Sequence, residues 1–560
     1  MQREAARPWL KADVGQRYGL PRPQPRPLYS LLVDSARAKP GNRCIHYLGR
    51  DFTYAQVDEI SSRFATALVS LGMKKGDRVA VFLPNVPQLV FAYFGILKAG
   101  GVVVMCNPVY KERELEFQLK DSGAEIVVAS RTVAKGMDLY KSLEGCRGRL
   151  QLRHVISTHI GDYLPGMKKR LAGLAGVKDV RRAGTLDFAE LVDSSSPLKE
   201  YADVDPESDV ALLQYTGGTT GVSKGAMLTH YNLVSNAAYA QSLFPITEAD
   251  ISLCVLPLFH IYGLTVTMNA PLSAGAAMVL LPSFHVDEVM KTIQNQKVTI
   301  FSGAPAMYIA INSRPDAKKF NLKSVRACLS GGSALPPAVR KKFIELTGGN
   351  LVEGYGLSET SPITHCNPVT GGVVKDGSIG PPFSETDAMV VDVGDRNRVL
   401  AAGEVGELAV KGPQVMKGYW NHREETDAVL KDGWFLTGDI AKMDQDGYFY
   451  IVDRKKDMIN VGGLKVYPRE VEDVLFEHPD VKEAGVIGIP DDFSGEAVKA
   501  FVVLKDPAKK ISEQDVIEFC RNKLAKFKVP KEVEFVQELP KTLIGKVLRR
   551  KLRELRPGRS

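Results

Sequence analysis

Four glycines, three threonines, one serine and one lysine crowd into the stretch YTGGTTGVSKG, residues 215–225. Glycine lets a backbone turn so that successive N–H groups point inward. Such a nest binds anions, and hydroxyls and an ammonium add donors. Thr216, Gly217, Gly218, Thr219, Thr220, Gly221 and Lys224 are therefore candidate ligands of a polyphosphate. A Walker loop has glycine before its lysine and a hydroxyl residue after it. Here Ser223 precedes Lys224 and Gly225 follows, so the motif is a different one. Apolar runs flank it on both sides. They predict a hairpin tip, with Thr229 as the N-cap of the next helix. A plain Gly/Thr surface loop has the same composition, and other sites in the chain must decide.

The stretch EGYGLSET, residues 353–360, sets Tyr355 between Gly354 and Gly356. That ring offers a face for stacking on adenine. Glu359 offers a hard oxygen to magnesium, which takes few protein ligands beside phosphate oxygens. Glu353 and Ser358 complete this nucleotide-binding block. A strand read over 325–329 runs into Ser330, Gly331, Gly332 and Ser333, where a Gly-Gly turn lets a flat ring approach the backbone. Pro336 or Pro337 opens the following helix. Asp439 closes WFLTGD and can accept both hydroxyls of a ribose diol. His260, alone in the apolar run PLFHIYGL, reads from the residues first as a satisfied core histidine.

Taken together, YTGGTTGVSKG, EGYGLSET, WFLTGD, IVDRKKDMI and PKTLIGKVLR resemble, in this order, the motifs of the acyl-adenylate-forming superfamily. That superfamily holds acyl-CoA synthetases, adenylation domains of peptide synthetases and beetle luciferases. The strings LQYTGGTTG, KGAMLTH, GPQVMKGYW and IVDRKKDMI resemble bacterial long-chain fatty-acyl-CoA synthetases. The resemblance covers roughly residues 30–555 and implies roles that spacing alone does not. Lys546 matches the catalytic lysine, Arg454 a ribose contact and Lys456 the hinge. Phe259 and His260 would line the acyl and thiol route, with Gly331 beside them. NVGGLK, with Gly462 and Gly463, matches the segment that meets the pantetheine tunnel; Gly462 stands where bacterial members have serine. Thr216 and Glu359 would hold Mg²⁺, and ATP, coenzyme A and a fatty acid would be the substrates.

At 560 residues the chain exceeds one core. Its net charge of +8 suits anionic ligands or an anionic membrane surface, and is too diffuse for nucleic acid. Seven scattered cysteines without a CxxC pair read as reduced cytoplasmic thiols, with no disulfide framework and no zinc site. The first residues lack an apolar core, so no signal peptide is read there. Two charge-poor stretches, 79–97 and 251–284, are interrupted by prolines and polar residues and read as buried core rather than bilayer spans. Residues 261–284 would give apolar wall to an alkyl chain, each buried methylene being worth about 0.8 kcal/mol. Between 161 and 184, six basic residues surround Met167, Leu171, Leu174 and Val177. This segment, 167–182, is a candidate for peripheral contact with the cytoplasmic face of a membrane, or else a solvated insertion. Oligomerisation stays open.

The elements that must position these residues alternate. Helices are read over 53–73, 86–98 and 112–122, and strands over 77–83, 102–105 and 125–129. Such alternation predicts a layered α/β domain with a largely parallel sheet. The charge run after 452 marks a boundary, giving a large domain over 1–454 and a small mobile α+β domain over 455–560. In the small domain helices are read over 470–477 and 513–523, and strands over 484–489 and 500–504. Two other functions stay in play. One is a ligase for an aryl or short-chain acid in the same fold; the other is a non-catalytic nucleotide- or lipid-binding protein.

Overall fold

Strand–helix alternation in the first half builds two sheets rich in parallel pairs. The computed structural model describes residues 7–10, 22–134, 137–166, 168, 174, 176–216, 223–369, 371–491, 493–509, 511–541 and 547–554. In the first sheet the strands Leu186–Asp187, His154–Thr158, Ile126–Ser130, Arg78–Phe82, Val102–Met105 and Val210–Thr216 run parallel, in that spatial order. Lys224–Thr229 and then Gly418–Tyr419 close its edge in antiparallel pairing. The second sheet pairs Arg50–Thr53, Arg43–Tyr47, Ala277–Leu280 and Ile251–Cys254. It continues through Ile300, which bridges Ser252 and Ala327, to Ala327–Ser330, Asn350–Gly356 and Ile363–Cys366.

Helices start where the sequence supplies caps. Tyr54–Ser70 opens on Thr53, whose side chain forms a capping box with Gln56. Pro87, not Val86, begins the second helix, because proline suits the first helical position. All twelve residues of Pro87–Lys98 are buried, which explains the charge-poor stretch 79–97. Lys98 is buried there only because Asp58, Ser61 and Ser62 all accept from its ammonium. The stretch 251–284 divides into the strand Ile251–Cys254, a wide-turned π-helix Gly263–Asn269, the short helix Ala270–Ser273 and the strand Ala277–Leu280. Among the described residues no helix is long and apolar enough to cross a membrane. All seven cysteines are buried.

An antiparallel sheet follows, built on Asp387–Val391, Gly406–Lys411, Trp434–Met443 and Phe449–Arg454. The smaller C-terminal unit has its own core around a long hairpin, Val481–Asp491 with Gly495–Leu504, covered by Pro468–Phe476 and Glu513–Arg521. Both hairpin strands outrun their apolar cores. The ladder carries on from Val481–Leu504 to Asp491–Gly495 although solvent-facing residues interrupt the apolar run.

Candidate active site

The hairpin expected at the phosphate loop is present at its flanks. Thr216 and Lys224 pair across the ladder, and Ser223 Oγ donates to the Thr216 carbonyl at 2.5 Å. Gly217, Gly218, Thr219, Thr220 and Gly221 lie outside the described residues. Gly225 is set by close approach: a Cβ there would lie 3.2 Å from the Tyr215 ring. Thr229 caps the helix His230–Leu243, as its sequence predicts.

Lys224 does not stand alone. Its ammonium lies 4.7 Å from the centre of the Tyr419 ring, and the Tyr419 hydroxyl donates to Glu359 Oε1 at 2.8 Å. Burial and the neighbouring Glu359 charge push the Tyr419 phenol well above its ordinary range, so it stays a donor. Glu359 sits in the turn Ser358–Thr360, whose backbone is tied down by Met416 N donating to the Glu359 carbonyl at 2.8 Å. Tyr419 was not singled out from sequence. Only its place in GPQVMKGYW pointed to it, and its partners come from distant segments.

Asp439 and Arg454 are directly opposed across the strands Trp434–Met443 and Phe449–Arg454. Arg454 Nε lies 2.8 Å from Asp439 Oδ1, and the Tyr355 hydroxyl donates to Oδ2 at 2.5 Å. The Asp439 charge, ahead of any other influence, keeps Arg454 firmly protonated, and Tyr355 and Glu359 add to it. The Glu359 charge reaches Arg454, which sets Lys224, Tyr419 and Glu359 on the same side as Arg454, Asp439 and Tyr355. The glycines around Tyr355 do more than clear its face. A Cβ on Gly356 would sit 2.0 Å from the Pro362 carbonyl oxygen, and one on Gly354 2.8 Å from Leu329 Cδ1.

Glu353 is buried and its Oε2 accepts from Leu335 N at 3.0 Å, which ties the Gly331–Gly332 turn to the strand Asn350–Gly356. Burial pushes its carboxyl up to about 7. Gly332 has φ +88, the turn that carries the chain from Ala327–Ser330 toward Ser333. A Cβ on Gly331 would lie 3.1 Å from the Tyr262 ring, so Gly331 and the Phe259–His260 segment are neighbours. The Phe259 carbonyl accepts from Gln214 Nε2 at 3.1 Å, tying that segment to the strand that enters the phosphate loop. His260 Nδ1 accepts from Tyr262 N at 3.2 Å, and burial lowers its pKa to about 4. At neutral pH it is a neutral ring and a poor base.

In the C-terminal unit Gly462 and Gly463, at φ +59 and +85, turn the hairpin between Ile459–Val461 and Leu464–Val466. Lys456 lies in the turn Lys455–Asp457, where burial lowers its pKa. Lys546 lies outside the described residues; Lys541 and Val547 bridge on either side of it. In the basic segment Met167, Lys169, Arg170 and Leu171 also lie outside them. Arg182 is held by Asp138 and Glu144 and Arg181 faces Glu190, so two of the six basic groups already have acidic partners. His159, Asp162 and Asp179 cluster at ligand distance, but the Arg131 guanidinium meets Asp162, Asp179 and Asp187 there and supplies the cation itself.

Two further histidines are structural. His230 Nδ1 accepts from Leu28 N at 3.0 Å, and burial lowers its pKa to about 4; burial lowers His365 to about 3. Unfolded rings take a proton near pH 6.5, so the unfolded state binds more protons below that pH and stability falls as pH drops from about 6.5 toward 4. Each ring is expected to cost about 2 kcal/mol at pH 5. His230→Asn, which keeps an acceptor, should flatten the pH dependence of urea unfolding midpoints; an unchanged slope rules His230 out as a source.

Comparison with known proteins identifies the family of the chain. The AMP-binding enzyme family matches residues 32–420, and the AMP-binding enzyme C-terminal domain matches 470–546. A long-chain-fatty-acid–CoA ligase of Bacillus subtilis (strain 168) is 44% identical over 562 residues, covering 98% of both chains. One from Salmonella typhimurium is 41% identical over 91% of each. Among solved structures, ATP-bound MatB from Rhodopseudomonas palustris superimposes with TM-score 0.83 at 31% identity, covering 94% of this chain and 98% of that one. A benzoate CoA ligase from Burkholderia xenovorans LB400 gives 0.81 at 28%, covering 94% and 100%. The chain belongs to the AMP-binding enzyme family, within the acyl-adenylate-forming superfamily that its motifs resemble.

Proposed function

We propose that this enzyme activates a medium-to-long-chain fatty acid with ATP and passes the acyl group to coenzyme A. The observation that carries the reading is the contact series Lys224–Tyr419–Glu359 beside Arg454–Asp439–Tyr355, which brings distant motifs to one place. A fatty carboxylate oxygen attacks the α-phosphorus of ATP; the bond to pyrophosphate breaks and acyl-adenylate forms. The thiol of coenzyme A then attacks the acyl carbon and loses its proton, and AMP leaves. The protein contributes position and charge neutralisation rather than covalent chemistry.

Lys224 and the loop 216–221 hold the triphosphate. Gly331, Gly332, Ser333, Glu353, Gly354, Tyr355, Gly356 and Ser358 form the adenine side, and Asp439 with Arg454 holds the ribose. Magnesium fits an all-oxygen set made by Glu359 and the Thr216 hydroxyl, since Tyr419 engages only one Glu359 oxygen. Bound there, it would neutralise phosphate charge. Lys546 bridges the carboxylate and the α-phosphate. Phe259 and His260 line the acyl and thiol route, where His260 acts as a neutral N–H donor and wall, and Gly462 and Gly463 meet the pantetheine. The boundary falls between 454 and 455, and the small domain turns about Lys456 between the half-reactions.

Pyrophosphate release measured across acetate, decanoate, palmitate and benzoate tests the reading. Highest turnover with the long alkyl acids supports it. A preference for benzoate or acetate transfers the reading to an aryl or short-chain ligase, and no AMP from any acid leaves a binding protein. The enzyme would act in the cytoplasm, with the basic groups of 167–182 touching anionic lipid. Neutralising them is expected to abolish sedimentation with anionic liposomes, and unchanged sedimentation would remove that contact.

A further inference from the structure

We propose that Tyr419 is a positioning residue for the nucleotide: one side chain that sets Glu359 with its hydroxyl and seats Lys224 on its ring. The inference rests on the ATP site proposed above. Three observations place Tyr419 there. It lies on the edge strand Gly418–Tyr419, where Ala226 pairs with Tyr419 and Met227 with Gly418, so the strand that begins at Lys224 fixes its backbone. The backbone on both sides is pinned: Thr426 Oγ1 accepts from Tyr419 N at 2.9 Å, and Trp420 N donates to the Gly225 carbonyl at 2.8 Å. The side chain, mostly buried, then reaches two charges of opposite sign, Glu359 at 2.8 Å through its hydroxyl and Lys224 at 4.7 Å through its ring face.

The two contacts do different work. A hydrogen bond to Oε1 fixes the carboxylate plane and leaves Oε2 for another partner. A cation–π seat holds the ammonium near the loop without a carboxylate that would compete with phosphate for it. Without Tyr419, Lys224 and Glu359 would be free to pair with each other, and both would be withdrawn from the triphosphate. The expected signature is therefore separable into a metal-dependent part and a metal-independent part.

The experiment is calorimetric ATP binding to the full-length protein, with excess Mg²⁺ and with chelator, alongside palmitate kinetics. Tyr419→Phe removes one oxygen and keeps the ring. It should bind metal-free ATP within about twofold of wild type, and lose about tenfold of the Mg²⁺-dependent gain in affinity. The KM for palmitate should not move. Tyr419→Leu should in addition weaken metal-free ATP binding about fivefold. An unchanged Mg²⁺-dependent gain in Tyr419→Phe overturns the Glu359 contact as a positioning device. Equal metal-free affinity in the Phe and Leu variants overturns the Lys224 seat. If Tyr419→Leu fails to fold, Lys224→Met on the wild-type and Tyr419→Phe backgrounds serves instead. It should lower metal-free affinity equally in both, and a smaller loss on the Phe background overturns the assignment. Wild type that binds no ATP under either condition overturns the nucleotide site itself and this inference with it.

Discussion

Lys546→Ala is expected to abolish adenylate formation while thioester formation from supplied acyl-adenylate survives. Two anions, a carboxylate and a polyphosphate, must meet in the first half-reaction, and negative charge concentrates on the α-phosphoryl oxygens as they do. A cation placed between them is worth most in that transition state and little before it. A single pre-placed donor of this kind contributes about 10²–10³-fold in rate. In the proposed mechanism the second half-reaction begins from a mixed anhydride whose phosphate charge is already spread, and the thiol would need the space that Lys546 gives up. One ammonium on the small domain cannot serve both geometries, and this is why rotation about Lys456 belongs to the proposal. The measurements are pyrophosphate release for the first step and acyl-CoA formation from synthetic palmitoyl-adenylate for the second. Equal losses in both would sink the division of labour.

What the sequence disclosed follows from how local each feature is. The strand Val102–Met105 and the helix Glu112–Ser122 were read to the residue, because their apolar spacing and the glycine at 123, φ +63, are written in the segment itself. The phosphate hairpin was legible for the same reason, its two arms being adjacent in the chain. The resemblance to a known superfamily adds expectations that composition does not carry, above all the roles of Arg454, Lys456 and Lys546. Tyr419 stayed hidden because its meaning lies in pairing between Gly418–Tyr419 and Lys224–Thr229, some two hundred residues apart in the chain. Position alone groups Glu353 with the nucleotide ligands. Its burial and its bond to Leu335 N show a carboxyl that fastens the Gly332 turn. Nothing in PKTLIGKVLR shows that three carboxylates converge on Arg549, because all three come from other segments.

That convergence gives the second large effect. Arg549→Met is expected to destabilise the protein by about 3–5 kcal/mol, the cost of removing one partner from a buried ion cluster. Arg549 lies three residues beyond Lys546, 2.7 Å from Glu472, 3.1 Å from Asp453 and 3.3 Å from Asp457, and all four side chains are largely buried. Burial raises the Glu472 carboxyl, and the Arg549 charge opposes that rise. Take the guanidinium away and Glu472 becomes easier to protonate. Its folded pKa then lies further above the unfolded value, so the variant loses stability as pH rises through it. The deficit relative to wild type should therefore be largest near pH 8 and shrink toward pH 5. Asp457 keeps Arg553 at 3.1 Å and Asp453 keeps two backbone donors, Arg454 N at 2.6 Å and Arg469 N at 2.7 Å, whereas Glu472 keeps one, Val486 N at 2.8 Å, so Glu472 is the carboxylate left worst off. Arg549→Met combined with Glu472→Met should recover more than half of the loss, since an apolar pair of similar volume replaces a buried ion pair at little cost. Denaturant unfolding of the three variants at both pH values is the measurement. A deficit under about 1 kcal/mol, as for exposed pairs, or one that does not change with pH, would mean that water already screens the cluster. The same variant should also lose activity in the adenylation step first, because the helix Arg549–Glu554 anchors the chain that carries Lys546.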